Sequence, residues 1–170
     1  MSRLDEVTAK IDGFFARVES RHGEDMQCTT GCSDCCHVRL SITSVEATAI
    51  TAAAATWAAE RIAGLRAVGP EDRCAALGPD GRCRIYEVRP VVCRSHGVPI
   101  RMQRPGLPVI RDQPPDEIVA CHRNFMHTEV AADCVLDQTT LSALVLAVDR
   151  ASGGDGTRVD LAALLATLAA

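Results

Sequence analysis

Apolar residues recur at helical spacing near both ends of the chain. Leu4, Val7, Ile11, Phe14, Phe15 and Val18 fall on one face of a helix predicted from about Arg3 to Arg21. Ser2 and Asp5 stand as a capping box at its start, and Gly23 as its stop. A second helix is predicted from Ser44 to about Ala67. A Thr43–Glu46 capping box opens it, and the alanines at 52–55 and 58–59 give it high helix propensity. Trp57, the sole tryptophan, reads as a packer at the core or its rim. Towards the end, Leu141, Leu144, Val145 and Val148 share one face of a helix near Asp137–Ala151. Leu161, Leu164, Leu165 and Leu168 do the same for a helix near Val159–Leu168, with Thr157 and Asp160 as its expected cap.

The middle third loses this periodicity. Gly78-Pro-Asp-Gly81 is a turn signal between two short segments. Pro90 can open a single helical turn that carries Cys93. Val98–Met102 and Pro108–Arg111 are expected to pair as strands around Arg104-Pro-Gly-Leu. The fold expected is therefore mainly α, a single domain over residues 1–170. Its cysteine-rich loops and short irregular or β segments would gather on one side of the helices to form a metal site.

Composition narrows the class. Apolar residues make up 47% of the chain but aromatics only 3%, so Ala, Leu and Val must fill the core. A net charge of −4 argues against a nucleic-acid surface, which needs a basic stripe. No apolar run approaches the roughly 20 residues that span a bilayer. The opening Met-Ser-Arg-Leu-Asp-Glu lacks the cationic and apolar regions of a secretory signal, so a cytoplasmic location is expected. Thiols stay reduced there, and the odd count of nine cysteines points to metal more than to a disulfide framework.

The chemistry concentrates in Cys28-Thr-Thr-Gly-Cys32-Ser-Asp-Cys35-Cys36, four thiols within one loop. Gly31 supplies the φ freedom that a tight ligand loop requires. Cys83 and Cys93 are the natural further donors, and Cys74 and Cys121 are secondary candidates. His37, His96 and His122 each stand close to a cysteine. Arg89 and Arg94 lie within a few residues of proposed ligands, where guanidinium groups would offset the charge of an anionic centre. Cys134, among apolar neighbours, reads as a buried small hydrophobe.

Cys28-x3-Cys32-x2-Cys35-Cys36, followed by Gly81-Arg-Cys83-Arg-Ile-Tyr86-Glu-Val-Arg89-Pro90-Val-Val-Cys93-Arg94, resembles the YkgJ-type cysteine-cluster family. That family carries a CxxCxxCC motif and is described as zinc- or iron-chelating. The resemblance covers about residues 28–96, and three residues rather than two separate Cys28 from Cys32. It implies metal binding, and a related domain in the flagellin lysine methylases implies an iron–sulfur cluster. The first three cysteines also match the spacing of radical-SAM enzymes, although a chain of 170 residues with no βα repeat is too short for that barrel. Such a loop can wrap a cluster and take its fourth ligand from elsewhere. Four thiolates could equally close a zinc tetrahedron.

No nucleophile–base pair, P-loop or dinucleotide-binding glycine motif stands out. The function expected is a metal-binding protein in a redox, sensing or metal-handling role. Its cofactor would be an iron–sulfur cluster, [4Fe–4S] favoured, or Zn²⁺. The alternatives are an enzyme or enzyme accessory in a modification reaction, and a structural zinc module that presents helices to a protein partner. Neither nucleic acid nor membrane is expected as a partner.

Overall fold

The computed structural model describes residues 1–65, 73–103 and 116–170. Helix α1 runs Arg3–His22, and its capping box forms as the sequence predicts. The Ser2 hydroxyl accepts from the Asp5 N–H, and the Asp5 carboxylate accepts from the Ser2 N–H at 2.7 Å. Leu4, Ile11 and Val18 are its buried face, and Gly23–Asp25 follows as one 3-10 turn.

The second predicted helix is two helices. Strand β1 (Ser41–Thr43) leads into α2 (Ser44–Ala54), and α3 (Ala59–Ala63) begins after a break in which Ala58 is extended. The predicted end at Ala67 lies outside the described residues. Alanine propensity favours continuing the helix, but it is a weak force beside packing. The break lets Trp57 pack against a buried cluster and places Arg61 over its ring, 4.0 Å from the centroid. Arg61 then reaches the Arg84 carbonyl at 2.8 Å and the Glu87 carboxylate at 2.6 Å.

Past this point lie α4 (Val91–Arg94), β2 (Ile100–Gln103), β3 (Asp116–Val119) and β4 (Leu136–Asp137). The single helical turn after Pro90 therefore forms as expected. Strand β2 pairs antiparallel with β3, Ile100 opposite Val119, and parallel with β4. Its hairpin partner is thus 116–119, while the predicted strand at 108–111 lies outside the described residues. Helix α5 covers Gln138–Ala151, β5 Arg158–Asp160, and α6 Leu161–Ala169. On α5, Leu141, Val145 and Val148 are buried as predicted, but Leu144 is 47% exposed. The cap of α6 is Asp160 itself, which accepts from the Ala163 N–H at 2.8 Å, and Thr157 is not part of it.

The described residues contain six helices and two small sheets, so the fold is mixed rather than mainly α. They group into two compact units. The first comprises Met1–Cys28 and Arg94–Val145, and its core joins Val18, Met26, Val98 and Cys134 to Phe14, Phe15 and Phe125. The second comprises Thr29–Cys93 and Leu146–Ala170. There Ile42, Ile50, Leu65, Ala75, Ala76, Leu77, Ile85, Leu161 and Leu165 form the core, aliphatic as the composition requires. Strand β1 pairs with β5, Ile42 opposite Val159, which brings α2 and α6 together. Among the described residues, no helix is long and apolar enough to cross a membrane.

Candidate metal centre

Three segments of the second unit carry its thiols. The first is the loop before β1. Gly31 has φ +94°, Cys32 N–H donates to the Thr29 carbonyl, and Asp34–Cys36 closes as a 3-10 turn with Cys36 N–H on the Ser33 carbonyl. This folds Cys32, Cys35 and Cys36 into little more than two turns of chain. Cys35 is exposed, and Cys32 and Cys36 are half-buried.

The second segment is a tight loop from Cys74 to Cys83. Leu77 and Cys83 face each other in an isolated antiparallel bridge, and the Gly78 N–H donates to the Arg82 carbonyl at 2.8 Å. Gly81, with φ +76°, makes the turn. A side chain there would stand only 3.3 Å from the Gly31 carbonyl, so glycine permits the two cysteine loops to approach. Cys74 N–H donates to the Cys36 carbonyl at 2.7 Å, which ties the second loop to the first.

The third segment is α4. Cys93 N–H donates to the Pro90 carbonyl at 2.9 Å, so Pro90 fixes the turn on which Cys93 sits. The turn is also held from outside. The Glu46 carboxylate, 5% exposed, accepts from the Val91 N–H at 2.8 Å through Oε1. Its Oε2 accepts from the Thr43 N–H and the Thr43 hydroxyl. Capping chemistry legible at 43–46 thereby extends to a residue 45 positions away.

These segments bring Cys35, Cys36, Cys74, Cys83 and Cys93 into one electrostatic neighbourhood. The Cys36 thiol is hydrogen-bonded to Cys35, and this, with burial and the nearby Cys35, Cys74 and Cys83, holds its pKa far above the ordinary thiol value. Burial pushes Cys93 up to about 12, with Cys74, Cys83 and Cys35 adding to the rise. Burial likewise raises Cys74 and Cys83. Opposing forces are built in. Backbone N–H groups of Ala76 and Leu77 donate towards Cys74, that of Ile85 towards Cys83, and the charge of Arg89 pulls both Cys83 and Cys93 down. Donors aimed at sulfur favour thiolate over thiol.

Arg89 also lies over the Tyr86 ring at 4.0 Å and donates to the Tyr86 carbonyl. Cys28, Cys121 and Arg94 belong to the first unit, where Arg94 ion-pairs with Asp12 at 2.5 Å. Cys28 Sγ receives the Asn124 side-chain amide at 3.2 Å, and the same amide donates to the Gly97 carbonyl. Cys134 is fully buried in the first core, as a small hydrophobe would be. His37, His96 and His122 are exposed.

Sequence reasoning missed the reach of Glu46 and the contact of Asn124 with Cys28. Glu46 was visible only as a capping residue, and nothing near Asn124 in sequence signals a thiol partner.

Among the described residues, no three His, Cys, Asp or Glu side chains form a closed metal-binding group. The thiols are neighbours short of a coordination shell. Their chemistry nonetheless fits a soft metal: several sulfur donors, backbone and guanidinium groups that favour thiolate, and all nine cysteines free of disulfides.

No curated protein and no solved structure proved similar to the chain. Residues 27–105 match the family model described as "CxxCxxCC: Putative zinc- or iron-chelating domain". This segment, which carries both cysteine loops and the α4 turn, thus matches the cysteine-cluster family that the sequence resembles.

Proposed function

We propose that the chain is a metal-binding module whose centre is an iron–sulfur cluster held in the second unit. Its ligands would come from Cys32, Cys35, Cys36, Cys74, Cys83 and Cys93. The observation that carries the reading is the gathering of thiols from three separate segments into one neighbourhood, the first two segments tied by the Cys74–Cys36 backbone bond. A hydrophobic core has no need of several cysteines with backbone N–H groups aimed at their sulfurs.

Iron–sulfur is preferred to zinc for two reasons. More thiols converge than one tetrahedral zinc ion takes, and Arg89 lies close enough to Cys83 and Cys93 to act on both. A cation so placed suits a centre with net negative charge. When bound, a cluster supplies an accessible redox couple, which zinc lacks. The protein's own contribution is to fix the sulfurs, donate hydrogen bonds to them and limit solvent access. A redox, sensing or metal-handling role follows from that chemistry.

The test is purification without oxygen, followed by iron, zinc and sulfide analysis. Broad visible absorption that bleaches with dithionite, with iron and sulfide in matching amounts, is expected. A colourless anaerobic protein with stoichiometric zinc and no sulfide ends the cluster reading and leaves a thiolate zinc module. Aerobic preparations do not decide the matter, because thiolates freed by cluster loss can collect zinc.

A further inference from the structure

We propose that Glu46 is a positioning residue for the centre, holding the Val91–Arg94 turn so that the Cys93 sulfur faces the other thiols; this rests on the metal-binding reading above.

The argument begins with what the turn lacks. The first N–H groups of any helical turn need acceptors from outside it. A polar residue just before the turn ordinarily supplies one, but here that position is Pro90, which has no such side chain. The Val91 N–H would be left without an acceptor beside a side chain only 5% exposed. Glu46 meets the need from α2, at 2.8 Å.

The rest of the carboxylate is already committed. A capping box needs only one oxygen, and Oε2 serves it by accepting from both the Thr43 N–H and hydroxyl. Oε1 is therefore free to bind across the fold, and it binds two residues before Cys93. Burial of an acidic side chain to 5% exposure is rare unless its oxygens are fully used. Glutamine at this position would keep one carbonyl oxygen and turn the other site into a donor facing a donor. Local capping explains half of Glu46; fixing the Cys93 turn explains the other half.

The test compares the full-length wild type with Glu46→Gln, Cys93→Ser and the double variant, using Co²⁺ as the probe under reducing, oxygen-free conditions. Thiolate-to-cobalt absorption reports binding. Glu46→Gln is expected to weaken Co²⁺ affinity by about tenfold, the usual scale for groups that orient ligands. In the Cys93→Ser background it should cost little further, because the two changes act on one sulfur. An equal loss in both backgrounds would overturn the inference, since it would mean a general weakening of the fold.

A second measurement stands apart from metal. In the metal-free full chain, iodoacetamide should modify Cys93 several-fold faster in Glu46→Gln than in wild type, with Cys74 and Cys83 unchanged. Unaltered Cys93 reactivity overturns the inference even if cobalt binds. Should wild type take up no cobalt, the alkylation rates alone decide whether Glu46 positions Cys93, and the metal-binding reading is decided by the iron and sulfide analysis above. If Glu46→Gln does not fold, Glu46→Asp carries both comparisons, because it keeps the charge but shortens the reach.

Discussion

At the scale of single residues, Arg89 shows how the site weighs opposing forces. Burial and neighbouring thiols favour protonated Cys83 and Cys93, and the guanidinium favours their thiolates. Metal and protons compete for the same sulfurs, so whatever lowers a thiol pKa extends metal retention to lower pH. Arg89→Gln removes the cation, raises both thiol pKa values, and should move half-release of metal to higher pH by about half a unit. Arg89→Lys keeps the charge and should stay near wild type. A release titration followed by absorbance reads this directly, and identical midpoints for all three proteins would show that Arg89 serves only to pack on Tyr86. In the first unit, Gly97 is a residue that no other can replace. Its φ is +102°, and an added side chain would lie 2.6 Å from Cys28 Sγ and 3.3 Å from Phe15. Strain and clash act together, so Gly97→Ala should cost about 2 kcal/mol or more in chemical denaturation.

Among the elements, the N-terminus of α2 is anchored from outside its own sequence. Asp149 on α5 is fully buried, and it accepts from the Ser44 hydroxyl at 2.6 Å, the Val45 N–H at 2.8 Å and the Gly156 N–H at 3.2 Å. The Ser44 hydroxyl, followed by these backbone bonds, holds the Asp149 carboxyl below the usual range. A folded-state pKa below the unfolded one gives stability that is fully present above the unfolded value, about 4, and is lost as pH falls through the folded value. Asp149→Ala should destabilise by about 1–3 kcal/mol at neutral pH, because three part-buried donors lose their acceptor. Asp149→Asn should flatten the acid limb of stability against pH. Denaturant midpoints taken from pH 7 down to pH 3 would show both effects. This helix terminus also marks where sequence is legible. The boxes Ser2–Asp5 and Thr43–Glu46 could be read because both partners lie within one turn. Asp149 and Ser44 are 105 positions apart, Glu46 and Val91 45, and no local pattern announces either pair. The break at 55–58 was hidden for the same reason: alanine-rich sequence speaks for helix, while Trp57 and Arg61 answer to the Arg84–Glu87 segment. The hairpin partner observed for β2, Asp116–Val119, was not among the expected strands, because no alternating apolar pattern marks it. The thiols were legible as a class, since no core requires that spacing. What the sequence ranked lower, Cys74, is drawn beside Cys36 by a backbone hydrogen bond that only folding creates.

For the molecule as a whole, the question is how much of the second unit stands without its metal. Its aliphatic core of Ile42, Ile50, Ile85, Leu161 and Leu165 is continuous, so helices α2 and α6 have packing of their own. The cysteine loops differ in part. Ala75–Leu77 and Ile85 lie in that core, but the thiols around them are costly to ionise unless a cation is present. A ligand that binds only the native state at a hundredfold above its dissociation constant adds about 2.7 kcal/mol. For a chain of this length that corresponds to roughly 5–10 °C in thermal midpoint. Strict anaerobic chelation should therefore lower the midpoint of the loaded protein by about that amount. Hydrogen exchange should locate the change: protection lost at 32–36, 78–84 and 91–94, and retained at Ile85 and in α1 of the first unit. A melting curve unmoved by complete metal removal would mean that the aliphatic core alone sets the stability. The thiols would then be a site carried by the fold without supporting it, and metal could come and go without unfolding any part of the chain.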